Sequence, residues 1–311
     1  MLAIFESILP IFLLVLLGAA LKRAPVFEQS LWDGLEKFGY YVLFPALLFL
    51  TLAKADFAAL ETGAVSLAGL CSVFVMTALT LGLWPVLNRL GVGGPAFTTI
   101  FQTTTRWNGF MALAIAEKIA GPSGLTVVAL VMAAIIIPLN FLNVGVMIWF
   151  SGGNRDIRTF ALRIVSNPII LGAALGVLVN MAGIPLYEPV LVAVDLIARS
   201  SLGLGLVMVG AGLRIADALK PHPSALLACV LKLIVFPAVM IGIALLFGIG
   251  GQAFVILALC AAVPTAMNGY LLAKQMGGDA PLYAATATIQ TAAAFFTIPA
   301  VLFVAGYIAA G

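Results

Sequence analysis

Apolar residues run along this chain in blocks of about 20, the length an α-helix needs to cross the hydrocarbon core of a bilayer. Ten blocks read as spans, roughly 4 to 22, 30 to 53, 62 to 88, 95 to 119, 124 to 150, 158 to 181, 189 to 213, 224 to 249, 252 to 276 and 281 to 308. Short connections separate them, several carrying Gly or Pro, such as Gly121-Pro122 and Gly277-Gly278. Two blocks are interrupted near their middles. The fourth contains Thr104-Thr105-Arg106-Trp107-Asn108-Gly109-Phe110, and the ninth contains Pro264-Thr265-Ala266-Met267-Asn268-Gly269-Tyr270. Polar side chains and helix breakers survive at such depth only where protein covers them or a wet cavity receives them.

The interruptions belong to a longer repeat. Asn108 and Asn268 are 160 residues apart, and Ala24-Pro25-Val26-Phe27-Glu28 matches Ile184-Pro185-Leu186-Tyr187-Glu188 at the same offset. Pro10 and Pro168, Asp56 and Asp217, and Pro138 and Pro299 follow within two residues of it. A unit of five spans reverses its direction in the membrane from one copy to the next, so residues 1–155 and 156–311 read as inverted repeats. The fold class expected is therefore an all-α integral membrane protein of ten transmembrane helices, with helices 4 and 9 broken. Paired interruptions at matching places in two halves are the best sequence pointer to a transporter's binding site.

Composition agrees with the pattern: of 311 residues, 63% are hydrophobic and only 9% charged. Charge adds an orientation. Lys22, Arg23, Arg89, Arg155, Arg158, Arg163, Arg214, Lys220 and Lys274 fall on one side of the spans, and only Lys54 and Lys118 on the other. Basic loops stay in the cytoplasm, which puts both termini outside. The first apolar run, Ile8 to Leu21, has Glu6 before it and Lys22-Arg23 after it, with no basic stretch ahead, so it reads as an uncleaved span rather than a signal peptide. Cys71, Cys229 and Cys260 sit in apolar blocks and read as small buried hydrophobes. With a single histidine, His222, no multi-histidine metal site is possible, and no hydrolase elbow or phosphate loop is present. Neither an enzyme nor a cofactor is expected.

Asn108 and Asn268 each precede Gly and an apolar run, the position and residue type of a helix N-cap. Two half-helices starting there would turn unpaired N–H groups and positive dipole ends toward one place, which suits a carboxylate. An ordinary Asn-Gly turn, or a hydrogen bond between packed helices, would use the same residues. Pro264 breaks the ninth span, and Thr104 occupies the matching place in the fourth. Arg106 lies too deep to snorkel, and it fits either an anionic substrate or a carboxylate that clamps two helices. Asp195 and Arg199, and Asp33 and Lys37, have the i, i+4 order of structural ion pairs. Lys232 is expected to snorkel, and Gln290-Thr291 to line a cavity.

The run Pro264 to Asp279, with Arg106-Trp107-Asn108-Gly109-Phe110 and ten spans lacking a central soluble loop, resembles the bacterial branch of the auxin efflux carrier family, which includes permeases for malate and related acids. The likeness covers essentially the whole chain. It implies a bile-acid-transporter-like fold with helices 4 and 9 crossed, a scaffold of spans 1, 2, 6 and 7, and a transport unit of spans 3 to 5 and 8 to 10 that moves like an elevator. Plant members have a proline in both crossings and an acid-base pair in span 3; here the first proline is missing and Glu61 to Trp84 has no charge after Glu61. The candidate substrate residues are Thr105, Arg106 and Asn108, then Pro264, Thr265 and Asn268, with Gln290 from span 10. The expected partners are a small organic anion, the bilayer of a bacterial inner membrane and a second copy in a homodimer, with no nucleic acid. A cation-coupled carrier of another solute, with Gln290, Thr291 and Asn108 as ligands, and a sensor that binds without transport are the alternatives.

Overall fold

The computed structural model describes residues 2–55, 62–151, 168–219, 222–267 and 269–310. Asn268 therefore lies outside the described residues, as do Asp56, Glu61, Arg155, Arg158, Arg163 and Lys220. Among the described residues all regular structure is helical. Six stretches, Gln29–Ala53, Gly63–Arg89, Gly94–Ser151, Glu188–Ala211, Pro223–Leu246 and Ala280–Ala310, are long and apolar enough to cross a membrane. Large apolar side chains also cover the outside, with Leu16, Leu178, Leu246 and Phe296 at least 62% exposed. Only lipid makes such a surface favourable, and the chain is a multi-pass integral membrane protein.

The helices are α1 (Leu2–Leu21), α2 (Gln29–Ala53), α3 (Thr62–Gly82), α4 (Gly94–Thr105), α5 (Gly109–Ser151), α6 (Pro168–Met181), α7 (Glu188–Ala211), α8 (Pro223–Leu246), α9 (Gly251–Ala262), α10 (Gly269–Met276) and α11 (Ala280–Ala310), with short turns of helix at Trp84–Arg89 and Ile215–Ala218. Helix α5 bends at Gly121, whose φ of 58° is open to glycine, and Pro122 then starts the next helical stretch. Helices α2 and α8 each contain a five-residue π turn, Gly39–Leu43 and Leu231–Val235. Each turn is followed by Phe-Pro. A proline cannot donate to the turn before it and collides with the carbonyl four residues back, and a wider turn relieves both problems.

Packing divides the helices. Helix α1 packs extensively on α7, and the C-terminal half of α2 on α6. Both contacts bring backbones together. A Cβ on Gly18 would lie 2.0 Å from the Val207 carbonyl oxygen, and one on Gly210 1.8 Å from that of Val15. Gly172 and Gly176 meet Pro45 and Phe49 in the same way. Small residues allow this approach, which gives van der Waals contact where lipid offers no hydrophobic drive. Helices α3, α4, α5, α8, α9 and α11 pack mainly on one another. Phe110, at the start of α5, crosses between the groups, lying against Phe44 of α2 and over Gly205 of α7.

The Asp195 and Arg199 pair forms, at 2.6 Å. The Asp33 and Lys37 pair does not: Asp33 accepts from Gln29 at 2.7 Å, and Gln29 accepts from Lys22. Gln29, four residues before Asp33, takes the carboxylate that Lys37, four residues after, was expected to pair with.

Candidate functional site

Helices α4 and α9 are each 12 residues long, about 18 Å at 1.5 Å per residue, and neither alone reaches across a hydrocarbon core of about 30 Å. Each ends by passing into extended backbone, Arg106 at φ −71°, ψ 156° and Val263 at φ −66°, ψ 147°. The chain resumes as helix at Gly109 and at Gly269. The helix starts keep the offset of 160 residues, but the helix ends do not, because the second interruption is three residues longer. Thr104 is therefore not the counterpart of Pro264. It lies inside α4, fully buried, and the residue that follows the extended position in the first interruption is Trp107.

The two interruptions touch. The Asn108 N–H donates to the Pro264 carbonyl at 2.8 Å. The Asn108 side-chain oxygen accepts the Met111 N–H at 3.2 Å, an N-cap bond to the third residue of α5 that satisfies one of the helix's free donors. Gln290 of α11 holds the other strands of the junction. Its Nε2 donates to the carbonyls of Thr103 (3.1 Å) and Ala228 (3.2 Å), and its Oε1 accepts the Thr265 N–H at 2.9 Å. In this conformation Gln290 is a strut between α4, α8 and the second interruption rather than a wall of a cavity. The Thr265 hydroxyl lies 3.1 Å from that of Tyr283, which donates to the Ala266 carbonyl at 2.6 Å.

Arg106 is 8% exposed. Its Nε donates to Gln102 Oε1 at 3.3 Å and its Nη2 to Asn140 Oδ1 at 3.2 Å. Among the described residues no carboxylate pairs with it; the one ion pair there is between Asp195 and Arg199. Thr105 completes this side, donating to the Phe101 carbonyl at 2.9 Å and reaching Asn143 Oδ1 at 3.4 Å. Asn140 and Asn143 each turn Nδ2 onto their own helix, to the Ile136 and Leu139 carbonyls, which leaves their oxygens facing the interruption. The sequence reading passed over Gln102, Asn140, Asn143 and Tyr283. Their one signal was polarity within apolar blocks, four residues before Arg106 in the case of Gln102.

Lys232 corrects the expectation of snorkelling. Its side chain is completely buried in the π turn of α8, its Nζ has no hydrogen-bond partner, and it lies 4.3 Å from the centre of the Phe236 ring. A desolvated cation–π contact contributes about 2 kcal/mol, while the effective cost of burying an ammonium is several kcal/mol. The wider turn directs this side chain inward.

The membrane transport protein family matches residues 154–302. An uncharacterized transporter of Methanothermobacter thermautotrophicus is 25% identical over 297 residues, covering 94% of this chain and 96% of the relative. The family match takes in the second interruption and Gln290, and the relative extends the likeness through the first. Two facing helix breaks inside a multi-pass bundle go with these matches, which make the chain similar to membrane transport proteins and support a membrane transporter.

Proposed function

We propose that this transporter moves small organic anions, carboxylates above all, and that Arg106 binds them where the two interruptions meet. The observation that carries the reading is a buried guanidinium that, among the described residues, is held by neutral amide oxygens and no carboxylate. A buried cation without a counter-charge is costly, and amide dipoles offset only part of that cost. A carboxylate supplies the missing charge and matches the planar fork of arginine. The starts of α5 and α10 add positive dipole ends, the arrangement by which discontinuous helices hold anionic groups in other transporters. A structural clamp would need a carboxylate partner, and Gln102 and Asn140 take its place here.

Ten spans in two inverted five-span repeats, with α4–α5 and α9–α10 crossing, account for the packing. If span 1 corresponds to span 6 and span 2 to span 7, a two-fold relation turns the contact of α1 with α7 into that of α6 with α2, and both contacts are extensive. The same helices form the scaffold of an elevator, and α3 to α5 with α8 to α11 form the unit that moves against it. Counterflow in proteoliposomes tests the function. Trans-stimulated exchange of labelled malate or succinate without a sodium requirement is expected. Exchange that stops without Na⁺ would indicate a cation-coupled carrier, and saturable binding without flux a sensor; either would refute the proposal.

A further inference from the structure

Lys232 takes no part in the anion site, yet it lies one helical turn from it. Ala228, four residues earlier on the same face of α8, gives its carbonyl to Gln290, the strut that joins α4 and α8 to the second interruption. Around Lys232 pack α4, α9, α11 and the two flanking segments of α8. The titratable groups on these elements are Cys229, Cys260, Tyr283 and Tyr307, and none of them is a carboxylate. An ammonium has three donors and no acceptor function, and here no acceptor meets any of them. The ring of Phe236 is a weaker partner than the water the group gives up. A neutral amine is buried in such surroundings at the cost of a polar group, not of an ion.

We propose that Lys232 is a proton-binding site of the transport cycle. In the packed conformation the side chain is the neutral amine; when the unit moves and water reaches the side chain, it takes a proton and becomes the ammonium. The step is R–NH₂ + H⁺ to R–NH₃⁺ and its reverse, with water as the proton's source and sink. Since the charged form cannot repack beside the Gln290 strut, closing the bundle requires the proton to leave, and movement of the anion is coupled to a pH gradient. This coupling rests on the anion-carrier reading; the proton site itself does not.

Two measurements decide between them. Thermal unfolding of wild-type protein and Lys232→Met in detergent, from pH 7 to 10 without substrate, isolates the proton site. An unfolded lysine keeps its proton up to about pH 10.4. The unfolded state thus binds more protons than the folded one, and wild-type stability rises with pH. The unfolding constant of the wild type should fall toward that of the variant by as much as about tenfold per pH unit. Curves that stay parallel overturn the site; Lys232→Gln serves as a second variant if Lys232→Met does not purify. In proteoliposomes a pH gradient should drive accumulation of labelled succinate by the wild type, while Lys232→Met equilibrates the label without accumulating it. Accumulation by the variant overturns the coupling. A wild type that moves no labelled carboxylate defeats the anion reading, and the unfolding titration still judges Lys232.

Discussion

The two interruptions reach nearly the same backbone geometry by different means. At the second, proline dictates the result: the residue before a proline is pushed out of the helical region, and Val263 is extended because Pro264 follows it. At the first there is no proline. Arg106 is extended because its side chain is tied to Gln102 and Asn140 and because the Asn108 N–H is taken by the Pro264 carbonyl. One break is written in the local chain and the other is imposed by neighbours. The first also carries the charge, whereas the described part of the second, residues 263–267, has none. The two breaks thus share a shape and differ in what holds them, and under the proposed function the first binds while the second braces.

The difference can be tested by removing each brace. Gln290→Leu should have the largest effect on stability, because it leaves the Thr103 carbonyl and the Thr265 N–H unpaired and takes from the Ala228 carbonyl one of its two donors. At about 1 to 3 kcal/mol for each buried group left unpaired, the thermal midpoint in detergent should fall further than for any other single change at the junction. An unchanged midpoint would mean that the strut carries no load. Asn108→Ala should cost less stability, about 1 kcal/mol for a lost N-cap, yet abolish carboxylate uptake while the protein remains monodisperse. Near-normal uptake would reduce the Asn-Gly pair to a packing feature. Pro264→Ala should do least. The carbonyl that Asn108 uses is retained, and the loss is the preorganisation of a fixed φ, about 0.4 to 1 kcal/mol. Measurable uptake is expected, whereas collapse of the protein would show that the second break depends on more than its proline.

Much of the helical framework was legible because it follows from local pattern. Apolar block length marked the helices, and Asn-Gly before an apolar run located the starts of α5 and α10. The end of α4 was not legible: nothing after Arg106 forces the chain out of the helix, so matching by Asn108 and Asn268 placed Thr104 opposite Pro264. The partners of Arg106 escaped for a related reason. Asn140 is 34 residues away, on a helix whose facing side hydropathy does not specify. Lys232 was misread because a lysine in an apolar block can reach out or turn in, and the π turn ahead of Pro237 decides which. Asp33 and Lys37 had the right spacing, but spacing alone does not rank Lys37 against Gln29.

The central claim is that Arg106 recognises the anion and has no structural counter-ion. Its most direct test is the affinity of wild type, Arg106→Lys and Arg106→Ala for one carboxylate, measured by titration calorimetry on protein of matched monodispersity. All three should remain folded, because no described carboxylate loses a partner when the guanidinium is removed. Affinity should drop for Arg106→Lys, which keeps the charge and loses the fork, and should disappear for Arg106→Ala. Wild-type affinity in well-folded Arg106→Ala would contradict the assignment, as would a loss of folding in that variant before any ligand is added.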